Sequence, residues 1–357
     1  MKFILQISRI LVGILFIISG LIKLNDPVGT QIKLEEYFEV FGTHFLIPMA
    51  LYFSVIMCVL EVALGIAVLL FYRMKWTLII LSGLIVFFTF LTFYSAYFNK
   101  VTDCGCFGDA IKLKPWESFY KDIILCVLIL FIIILKNKIK PVFDNIKGDL
   151  IVIIVTMASI WLAVFCINHL NIIDFRAYKP DANIQTAMKP SCTPAFKYIL
   201  TKNGKDFEFT QYPTDTTYQY KSMVQTNPEC NPKITDYNIW NDQGDYTQES
   251  FKGDKMFIYI LNTELADKEG AKRVKVLTDK IATIGIEPII ITASDPQKFD
   301  IFRHELNLAV PFFYADATVI KTIIRSNPGL VYLQNGTVKG KWHCNDVPSL
   351  DELKLLK

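Results

Sequence analysis

The sequence lacks any block of lysine and arginine residues that resembles a phosphate-binding stripe. Its formal net charge is +3 over 357 residues, which is small for a chain of this length. Proteins that bind nucleic acid concentrate basic side chains on one face to neutralise phosphate groups. The sequence therefore indicates no nucleic-acid partner.

A signal-peptide cleavage motif is also missing. The chain starts with Lys2 and Arg9 around an apolar stretch, but no A-x-A-like site of small residues follows, and residues 19–23 read SGLIK. A cleaved secretory signal ends in such a small-residue site. We therefore expect the first apolar segment to remain as a transmembrane helix.

Long apolar runs dominate the chain up to about residue 170, and 52% of all residues are apolar. A helix needs about 20 mostly apolar residues to cross the hydrocarbon core of a bilayer. Lys121 and Asp122 interrupt one run, whose Trp116 and Tyr120 are typical of a membrane interface. The predicted transmembrane segments are 3–22, 49–71, 76–98, 115–135 and 150–170.

The distribution of basic residues predicts how these helices are oriented. Lysine and arginine accumulate at the N-terminus, around residues 73–75 and within residues 136–147. Such loops favour the cytoplasmic side. The regions 23–48, 99–114 and everything after residue 170 then lie outside. We predict a protein of the bacterial inner (cytoplasmic) membrane with a cytoplasmic N-terminus and a periplasmic C-terminal domain.

From Asp254 onwards, short buried strands alternate with amphipathic helices in the order β-α-β-α-(β)-α-β-β-α. Asn335-Gly336 is a strong hairpin turn between the last two strands. This order resembles the thioredoxin fold, and Asn327-Pro328 is a candidate for the cis-proline of that fold. We therefore predict an α/β thioredoxin-like domain over residues 251–357.

The Cys-x-x-Cys motif of thioredoxins is absent from this domain. The position after the first core strand reads Asn262-Thr263-Glu264-Leu265, and Cys344 is the domain's single cysteine. Disulfide exchange requires a thiolate nucleophile. The domain is therefore expected to bind a partner or to act as a scaffold rather than to catalyse as thioredoxin does.

Residues 171–250 are rich in Pro, Asn, Thr and Tyr, and we interpret them as an extracytoplasmic connector with some β structure. Cys192 and Cys230 lie in this connector. A structural disulfide between them is permitted outside the cytoplasm. Pairing with Cys344, or a redox role, remains an alternative.

The most specific motif is Asp103-Cys104-Gly105-Cys106-Phe107-Gly108-Asp109, in the predicted outer loop between the third and fourth spans. Two cysteines separated by glycine can close a small, strained disulfide, and strained exposed disulfides are labile. This chemistry suits dithiol exchange coupled to a lipid-soluble electron carrier such as a quinone. A static disulfide, free thiols or half of a metal site are the alternatives. Since Cys-x-Cys supplies only two ligands, we predict no metal site.

Glu61 is an acidic residue with apolar neighbours inside the second span. A carboxylate in a membrane helix is unfavourable unless it faces the bundle interior and has a partner. Lys23, Arg9 and Lys121 are candidate partners. Glu61 is interpreted either as a residue that handles protons or contacts a quinone, or as a polar clamp between helices.

Two stretches carry a family resemblance that covers residues 1–135. Residues 19–27 (SGLIKLNDP) and Glu61-x-x-x-Gly65 resemble the DoxX family of four-helix membrane proteins, and the loop 103–108 resembles its MauE branch. The layout with a fifth helix and a thioredoxin-like tail is similar to fused DoxX-like proteins of Bacteroides-type bacteria. The residues that carry the resemblance are Lys23, Asp26, Glu61, Gly65, Cys104 and Cys106.

The resemblance to DoxX implies a quinone-linked oxidoreductase subunit, and the resemblance to MauE implies help with disulfide formation in an exported dehydrogenase. Cys104, Cys106 and Glu61 are then the candidate catalytic residues. Lys23 and Asp26 are possible cofactor-binding residues, and a quinone is the possible cofactor.

The complete expectation is an α-helical membrane bundle followed by an α/β thioredoxin-like domain. The predicted parts are a DoxX/MauE-like four-helix domain (1–135), a cytoplasmic loop with a fifth transmembrane helix (136–170), the connector (171–250) and the thioredoxin-like domain (251–357). The predicted function is membrane-embedded thiol–disulfide redox chemistry outside the cytoplasm. The alternative is a non-enzymatic scaffold whose soluble domain binds a periplasmic or membrane protein.

Overall fold

The computed structural model describes residues 2–101, 105–111, 113–138 and 141–357. The chain divides into two compact units, Met1–Phe175 and Arg176–Lys357. The first unit is helical, and the second combines helices with β-sheet.

Five helices in the described part of the first unit are long and apolar enough to cross a membrane, which confirms the predicted spans. The chain is therefore a membrane protein whose helices contact the lipid bilayer. The helices of this unit are α1 (Lys2–Asn25), α2 (Pro27–Val40), α3 (Ala50–Leu70), α4 (Met74–Phe98), α5 (Pro115–Leu135) and α6 (Asn145–His169), with 3₁₀ turns at His44–Met49 and Lys136–Lys138.

The bundle core is formed by α1, α3, α4 and α5, which bury an apolar cluster that includes Val12, Val68, Leu81 and Ile129. The outward faces of the helices are apolar as well; Ile134, for example, is 68% exposed. Helices that are apolar on every face are typical of proteins surrounded by lipid. Helix α6 packs against α1 and α3 through Ala163.

Helices α1 and α3 approach each other closely because glycines line their contact. A Cβ atom on Gly65 would lie 2.8 Å from the carbonyl oxygen of Gly13 and 3.0 Å from the amide nitrogen of Ile17. Small residues at such crossings let helix backbones pack directly in membranes. On α1, Gly20 faces the Glu61 segment of α3 in the same way.

Helix α2 lies in the region 23–48, for which the sequence predicted an outer loop. Pro27 occupies its first turn, and the Asp26 carboxylate caps it by accepting a hydrogen bond from the Gly29 N–H at 2.8 Å. An N-terminal proline and an aspartate cap favour helix initiation. The buried Tyr37 of α2 shares a 2.7 Å hydrogen bond with Ser95 of α4, which fixes α2 to the bundle.

The second unit is built on a seven-stranded mixed sheet. From one edge to the other, its strands are β10 (Thr337–His343), β9 (Gly329–Gln334), β6 (Asp254–Ile260), β7 (Glu287–Thr292), β8 (Phe312–Tyr314), β4 (Trp240–Asn241) and β5 (Gly244–Asp245). Strands β6, β7 and β8 are parallel, and β9 is antiparallel to β6. The strands and helices predicted after Asp254 are present in the predicted order. They are β6 (Asp254–Ile260), α8 (Lys268–Ile281), β7 (Glu287–Thr292), α9 (Pro296–Glu305), β8 (Phe312–Tyr314), α10 (Ala317–Ile323), β9 (Gly329–Gln334), β10 (Thr337–His343) and α11 (Leu350–Leu356).

The central strands of this sheet are buried because helices cover them. Met256, Ile258 and Ile260 of β6 belong to a core cluster that also contains Val274 of α8 and Phe299 of α9. Parallel strands covered on both faces are expected to be continuously apolar, as residues 256–260 of β6 and 288–291 of β7 are. A mixed-sheet α/β domain thus follows the membrane helices, as predicted.

Residues 171–250, which we interpreted from the sequence as a connector with some β structure, contain several strands and short helices. They hold a three-stranded antiparallel sheet in the order β2-β1-β3, and two short strands that extend the large sheet beyond β8. The elements are α7 (Ile184–Ala187), β1 (Phe196–Lys202), β2 (Lys205–Phe209), β3 (Gln219–Gln225), β4 (Trp240–Asn241) and β5 (Gly244–Asp245), with 3₁₀ turns at Pro228–Cys230 and Glu249–Phe251. A further 3₁₀ turn, Ala282–Ile284, follows α8.

The close α1–α3 contact predicts that Gly65→Leu destabilises the membrane bundle. The new side chain would meet backbone atoms of α1, and overpacking of this kind costs about 1–3 kcal/mol. Gly83→Leu on α4 is the matched control, because a Cβ there meets no atom within 4 Å. Size-exclusion chromatography of detergent-solubilised protein after heating should show earlier loss of the monodisperse peak for Gly65→Leu only. Equal behaviour of the two variants would contradict the packing argument.

Candidate functional site

A buried ion pair joins α1 and α3 in the interior of the bundle. The Lys23 ammonium nitrogen lies 2.5 Å from Oε1 of Glu61, and these residues are only 4% and 1% exposed. Of the candidate partners named from the sequence, Lys23 is the one that Glu61 contacts. Such a pair is tolerated in a low-dielectric interior because each charge compensates the other.

The two groups of this pair face different neighbours. The Lys23 ammonium also lies 4.6 Å from the centre of the Phe88 ring on α4. Oε2 of Glu61 is buried and has no hydrogen-bond partner within the described residues. A buried carboxylate oxygen without a partner is unfavourable. It is therefore available to accept a hydrogen bond or a proton from a group that enters the site.

A second acid–lysine pair lies on α5. Oδ1 of Asp122 is 2.8 Å from the Lys121 ammonium nitrogen, and Oδ2 accepts a 3.0 Å hydrogen bond from the Thr92 hydroxyl on α4. Asp122 is 1% exposed. The two residues that interrupt the fourth apolar run are thus turned inward and satisfy each other.

Cys106 lies close to both pairs. Its carbonyl oxygen accepts a 2.9 Å hydrogen bond from the Ser19 hydroxyl of α1, which ties the loop 105–111 to the bundle. The Cys106 sulfur is a free thiol. Burial raises the pKa of this thiol, and the largest opposing effect is that of the Lys121 ammonium, which lowers it. Cys104 lies outside the described residues.

Two small cavities place these groups together. The first, which we call the acid cavity, is lined by Glu61, Asp122, Lys121, Ser19 and Phe88 among others. The second, the thiol cavity, is lined by Cys106, Lys23, Thr30, Lys33 and Phe88 among others. Phe88 belongs to both, so that one ring and the Lys23–Glu61 pair separate the two spaces.

The size of the cavities limits what they hold. Their volumes are about 20 Å³ for the acid cavity and about 40 Å³ for the thiol cavity. A cavity needs a volume of at least about 10–15 Å³ to hold one water molecule, and pockets that bind ligands have volumes of about 300–1,000 Å³. The cavities therefore fit water and small polar groups, and a quinone ring does not fit into either of them in this conformation.

The other residues that carried the family resemblance have structural positions of their own. Asp26 caps α2, as described, and lies at the end of the helix that carries Lys23. Gly65 lies at the closest approach of α1 and α3, one helical turn from Glu61. The cofactor-binding role of Lys23 and Asp26 stays a prediction.

The remaining predicted cysteines lie in the second unit. Cys192 and Cys230 are joined by a disulfide bond. Cys344 is a free, fully buried thiol whose sulfur lies 3.6 Å from Oδ2 of Asp267. Burial raises the pKa of Cys344, and the hydrogen bond with Ser326 opposes this shift. Cys344 contributes to the core rather than to an accessible nucleophilic site.

The loop that follows β6 is held by the residue before a cis-proline. The Asn327–Pro328 peptide bond is cis. The Asn327 side chain accepts a hydrogen bond from the Leu261 N–H at 3.1 Å and donates one to the Asn262 carbonyl at 2.7 Å. Asn327 thereby holds the start of the segment 262–265, which contains no cysteine.

Sequence reasoning missed Asp122 as part of the site. The rule that singled out Glu61, an acid inside an apolar helix, applies equally to Asp122, but its neighbour Lys121 made the segment look like an interrupted span. The contribution of α2 was missed because residues 27–40 have no apolar stripe that marks a helix. Within the described residues, no group of three or more potential metal ligands is found.

Comparisons with known proteins cover parts of the chain. Residues 1–135 match the family described as "Methylamine utilisation protein MauE". The chain is similar to Protein TlpB of Flavobacterium psychrophilum, with 31% identity over 158 residues. That match covers 43% of this chain and 41% of TlpB, so less than half of the relative is represented. No solved structure matches.

The buried Lys23–Glu61 pair predicts a strong mutual dependence of the two residues. Lys23→Met and Glu61→Leu should each destabilise the bundle by about 3–5 kcal/mol, because each leaves one uncompensated buried charge. The double variant should recover most of that loss. Thermal unfolding of the wild-type protein, the two single variants and the double variant in the same detergent would measure these changes in stability. Asp149→Asn is the control, because Asp149 pairs with Arg73 at the surface. We expect it to change the stability by at most about 1 kcal/mol. Additive losses in the double variant would contradict the pairing.

The environment of Cys106 predicts its reactivity as a function of pH. Burial raises the pKa of Cys106, so its thiolate fraction near pH 8 should be smaller than that of an exposed cysteine. Lys121→Met removes a cation that lowers this pKa, and alkylation at fixed pH should slow further. The alkylation rate of Cys106 can be measured by mass spectrometry of the peptide that contains it, in a Cys104→Ser background. Lys114→Met is the control, because Lys114 is exposed. Faster alkylation of Cys106 in Lys121→Met would contradict the prediction.

Proposed function

We propose that this membrane protein carries out thiol–disulfide exchange through Cys104 and Cys106. The observation that carries the proposal is that Cys106 lines the same cavity as Lys23, whose ion-pair partner Glu61 is buried and has one carboxylate oxygen without a hydrogen-bond partner among the described residues. Burial raises the pKa of the Cys106 thiol, and the Lys121 and Lys23 ammonium groups oppose that rise and so favour the thiolate, which is the nucleophile in exchange. The match to the MauE family over residues 1–135 supports the assignment of this region.

In the exchange, the Cys106 thiolate attacks one sulfur of a partner's disulfide, and the partner's other sulfur leaves as a thiolate. Cys104, as a thiolate, then attacks Cys106 in the mixed disulfide. The partner leaves as a dithiol, and a Cys104–Cys106 disulfide remains. Two electrons and two protons pass from the loop to the partner, and the reverse sequence oxidises a partner dithiol.

Glu61 is the proposed proton carrier for these steps. Glu61 lines the acid cavity together with Ser19, whose hydroxyl donates a hydrogen bond to the Cys106 carbonyl oxygen. A carboxylate that accepts the thiol proton would leave Lys23 free to interact with the thiolate. No quinone takes part in these steps, because exchange between the loop and the disulfide of a partner needs none.

The exchange is proposed to take place on the periplasmic side of the inner membrane. The distribution of lysine and arginine supports this orientation. The Cys192–Cys230 disulfide of the second unit supports it as well, because structural disulfides persist in oxidising compartments.

The second unit is proposed to be a thioredoxin-like domain that recognises the partner. Its sheet order, the cis Asn327–Pro328 bond and the loop after β6 support the likeness. Residues 262–265 occupy the position where thioredoxins have their cysteines and contain none. Recognition therefore suits this domain better than catalysis.

A non-enzymatic scaffold is the second candidate. Leu265, at the position of the missing cysteines, is 78% exposed. A large apolar side chain presented on the loop beside the cis-proline fits a protein contact surface. On this alternative, partner binding is independent of Cys104 and Cys106.

The redox proposal predicts that Cys104→Ser accumulates a mixed disulfide through Cys106. Removal of Cys104 blocks the second attack, so the partner should remain bound on non-reducing gels and be released by reductant. Cys126→Ser, a change within α5, is the control and should trap nothing. If the variant lacking both Cys104 and Cys106 leaves the thiol state of exported proteins normal, the redox proposal is wrong.

The scaffold proposal predicts co-purification of a partner in mild detergent that survives the loss of both cysteines but not Leu265→Asp. Isolation of the chain alone under these conditions would argue against a scaffold. Loss of the partner only in the cysteine variants would favour the redox proposal.

A further inference from the structure

A cleft opens in the second unit at the carboxyl ends of two parallel strands, and none of the residues that line it is a cysteine. It is lined by Trp240, Asp242, Thr292, Pro296 and Tyr314 together with two alanines, and its volume is about 320 Å³. Thr292 ends β7, and Tyr314 ends β8. In open α/β sheets, ligands bind outside the carboxyl ends of the strands.

Two aromatic side chains form the walls of this cleft. Trp240 of β4 and Tyr314 of β8 are cross-strand partners, which places their side chains next to each other. Trp240 is 39% exposed, although it is a large apolar residue on a strand. Both residues line the cleft. The rings are therefore free to contact an incoming group.

The charges around the cleft are predominantly negative. Asp242 follows Trp240 by two residues and lines the cleft, while Asp295 and Asp316 cap the helices α9 and α10 that start at its rim. The nearby cations are already paired within the unit: Lys298 lies 2.7 Å from Glu264, and Arg303 lies 2.6 Å from Asp300.

The titration of Tyr314 supports this picture. Burial raises the pKa of Tyr314, and the carboxylates of Asp242, Asp300 and Asp295 raise it further. Three carboxylates therefore act on one hydroxyl in the cleft wall, against a smaller opposing effect of Arg303.

We propose that this cleft binds a lysine or arginine side chain presented by an extended segment of a partner protein. A cation between the Trp240 and Tyr314 rings gains cation–π attraction, and the Asp242 carboxylate supplies the opposite charge. An acidic or phosphorylated segment would instead meet like charges. A purely apolar side chain would desolvate the indole N–H, the hydroxyl and the carboxylate without compensation.

The cleft adds a binding site to the molecule that uses none of the residues of the proposed exchange chemistry. A partner held by a basic side chain would be bound whether Cys104 and Cys106 react or not. The proposal therefore stands or falls independently of the redox proposal.

The test uses the full chain in detergent micelles and short blocked peptides as probes. N-acetyl-Gly-Lys-Gly-amide and its arginine counterpart should produce a saturable change in tryptophan fluorescence that weakens as the salt concentration rises. The glutamate and leucine counterparts should produce none. Trp240→Phe should remove the change, which assigns the signal to this one of the five tryptophans.

Two aspartate variants provide the charge test. Asp242→Asn should weaken binding of the lysine peptide by about 5-fold or more. Asp351→Asn on helix α11 is the matched control, because Asp351 is exposed, pairs with Lys354 on its own helix and does not line the cleft. Its affinity should equal that of the unchanged protein.

The proposal is overturned by equal binding of the glutamate peptide, by equal weakening in Asp242→Asn and Asp351→Asn, or by a fluorescence change that persists in Trp240→Phe. Absence of any saturable response to the lysine and arginine peptides would overturn it as well. Circular dichroism of each variant would establish that the fold is retained.

Discussion

Removing an ammonium and a carboxylate from water costs several kcal/mol per ion, and only close mutual contact offsets that cost. In this protein, the contact between Lys23 and Glu61 can form only if α1 and α3 approach closely, and Gly13, Gly20 and Gly65 permit that approach. The glycines and the charges therefore depend on each other. The glycines permit the short distance between α1 and α3. The ion pair favours this arrangement over one in which the two helices are shifted or rotated relative to each other.

The other polar groups of the bundle are arranged around this pair. The Lys121–Asp122 pair and Thr92 form a second neutral set, and the loop that carries Cys106 is fastened to α1 through Ser19. Each cation has a matching anion, so the resting site carries no net charge from these residues. A new negative charge on Cys106 would then be the single uncompensated charge, and two ammonium groups lie near enough to respond to it.

Much of this arrangement could be predicted from sequence, and the limits have physical reasons. The five spans follow from apolar length, and the strand and helix order after Asp254 follows from periodicity and turn residues. Glu61 was recognisable because a charge inside a span needs a partner, but three cations remained equally eligible until the packing of α1 against α3 selected Lys23. Helix α2 and strands β4 and β5 were not predictable, because their stability comes from tertiary contacts rather than from a local pattern. The roles of Cys104, Cys106 and Glu61 stay predictions.

The short strands β4 and β5 have a practical consequence for anyone who wishes to express the second unit without the membrane helices. They complete the edge of the large sheet beyond β8, and they precede residue 251, the predicted start of the thioredoxin-like domain. A truncated protein that starts at 251 would leave β8 as an open edge, and open edges promote aggregation. The natural starting point for a soluble fragment is Arg176, which also retains both halves of the Cys192–Cys230 disulfide.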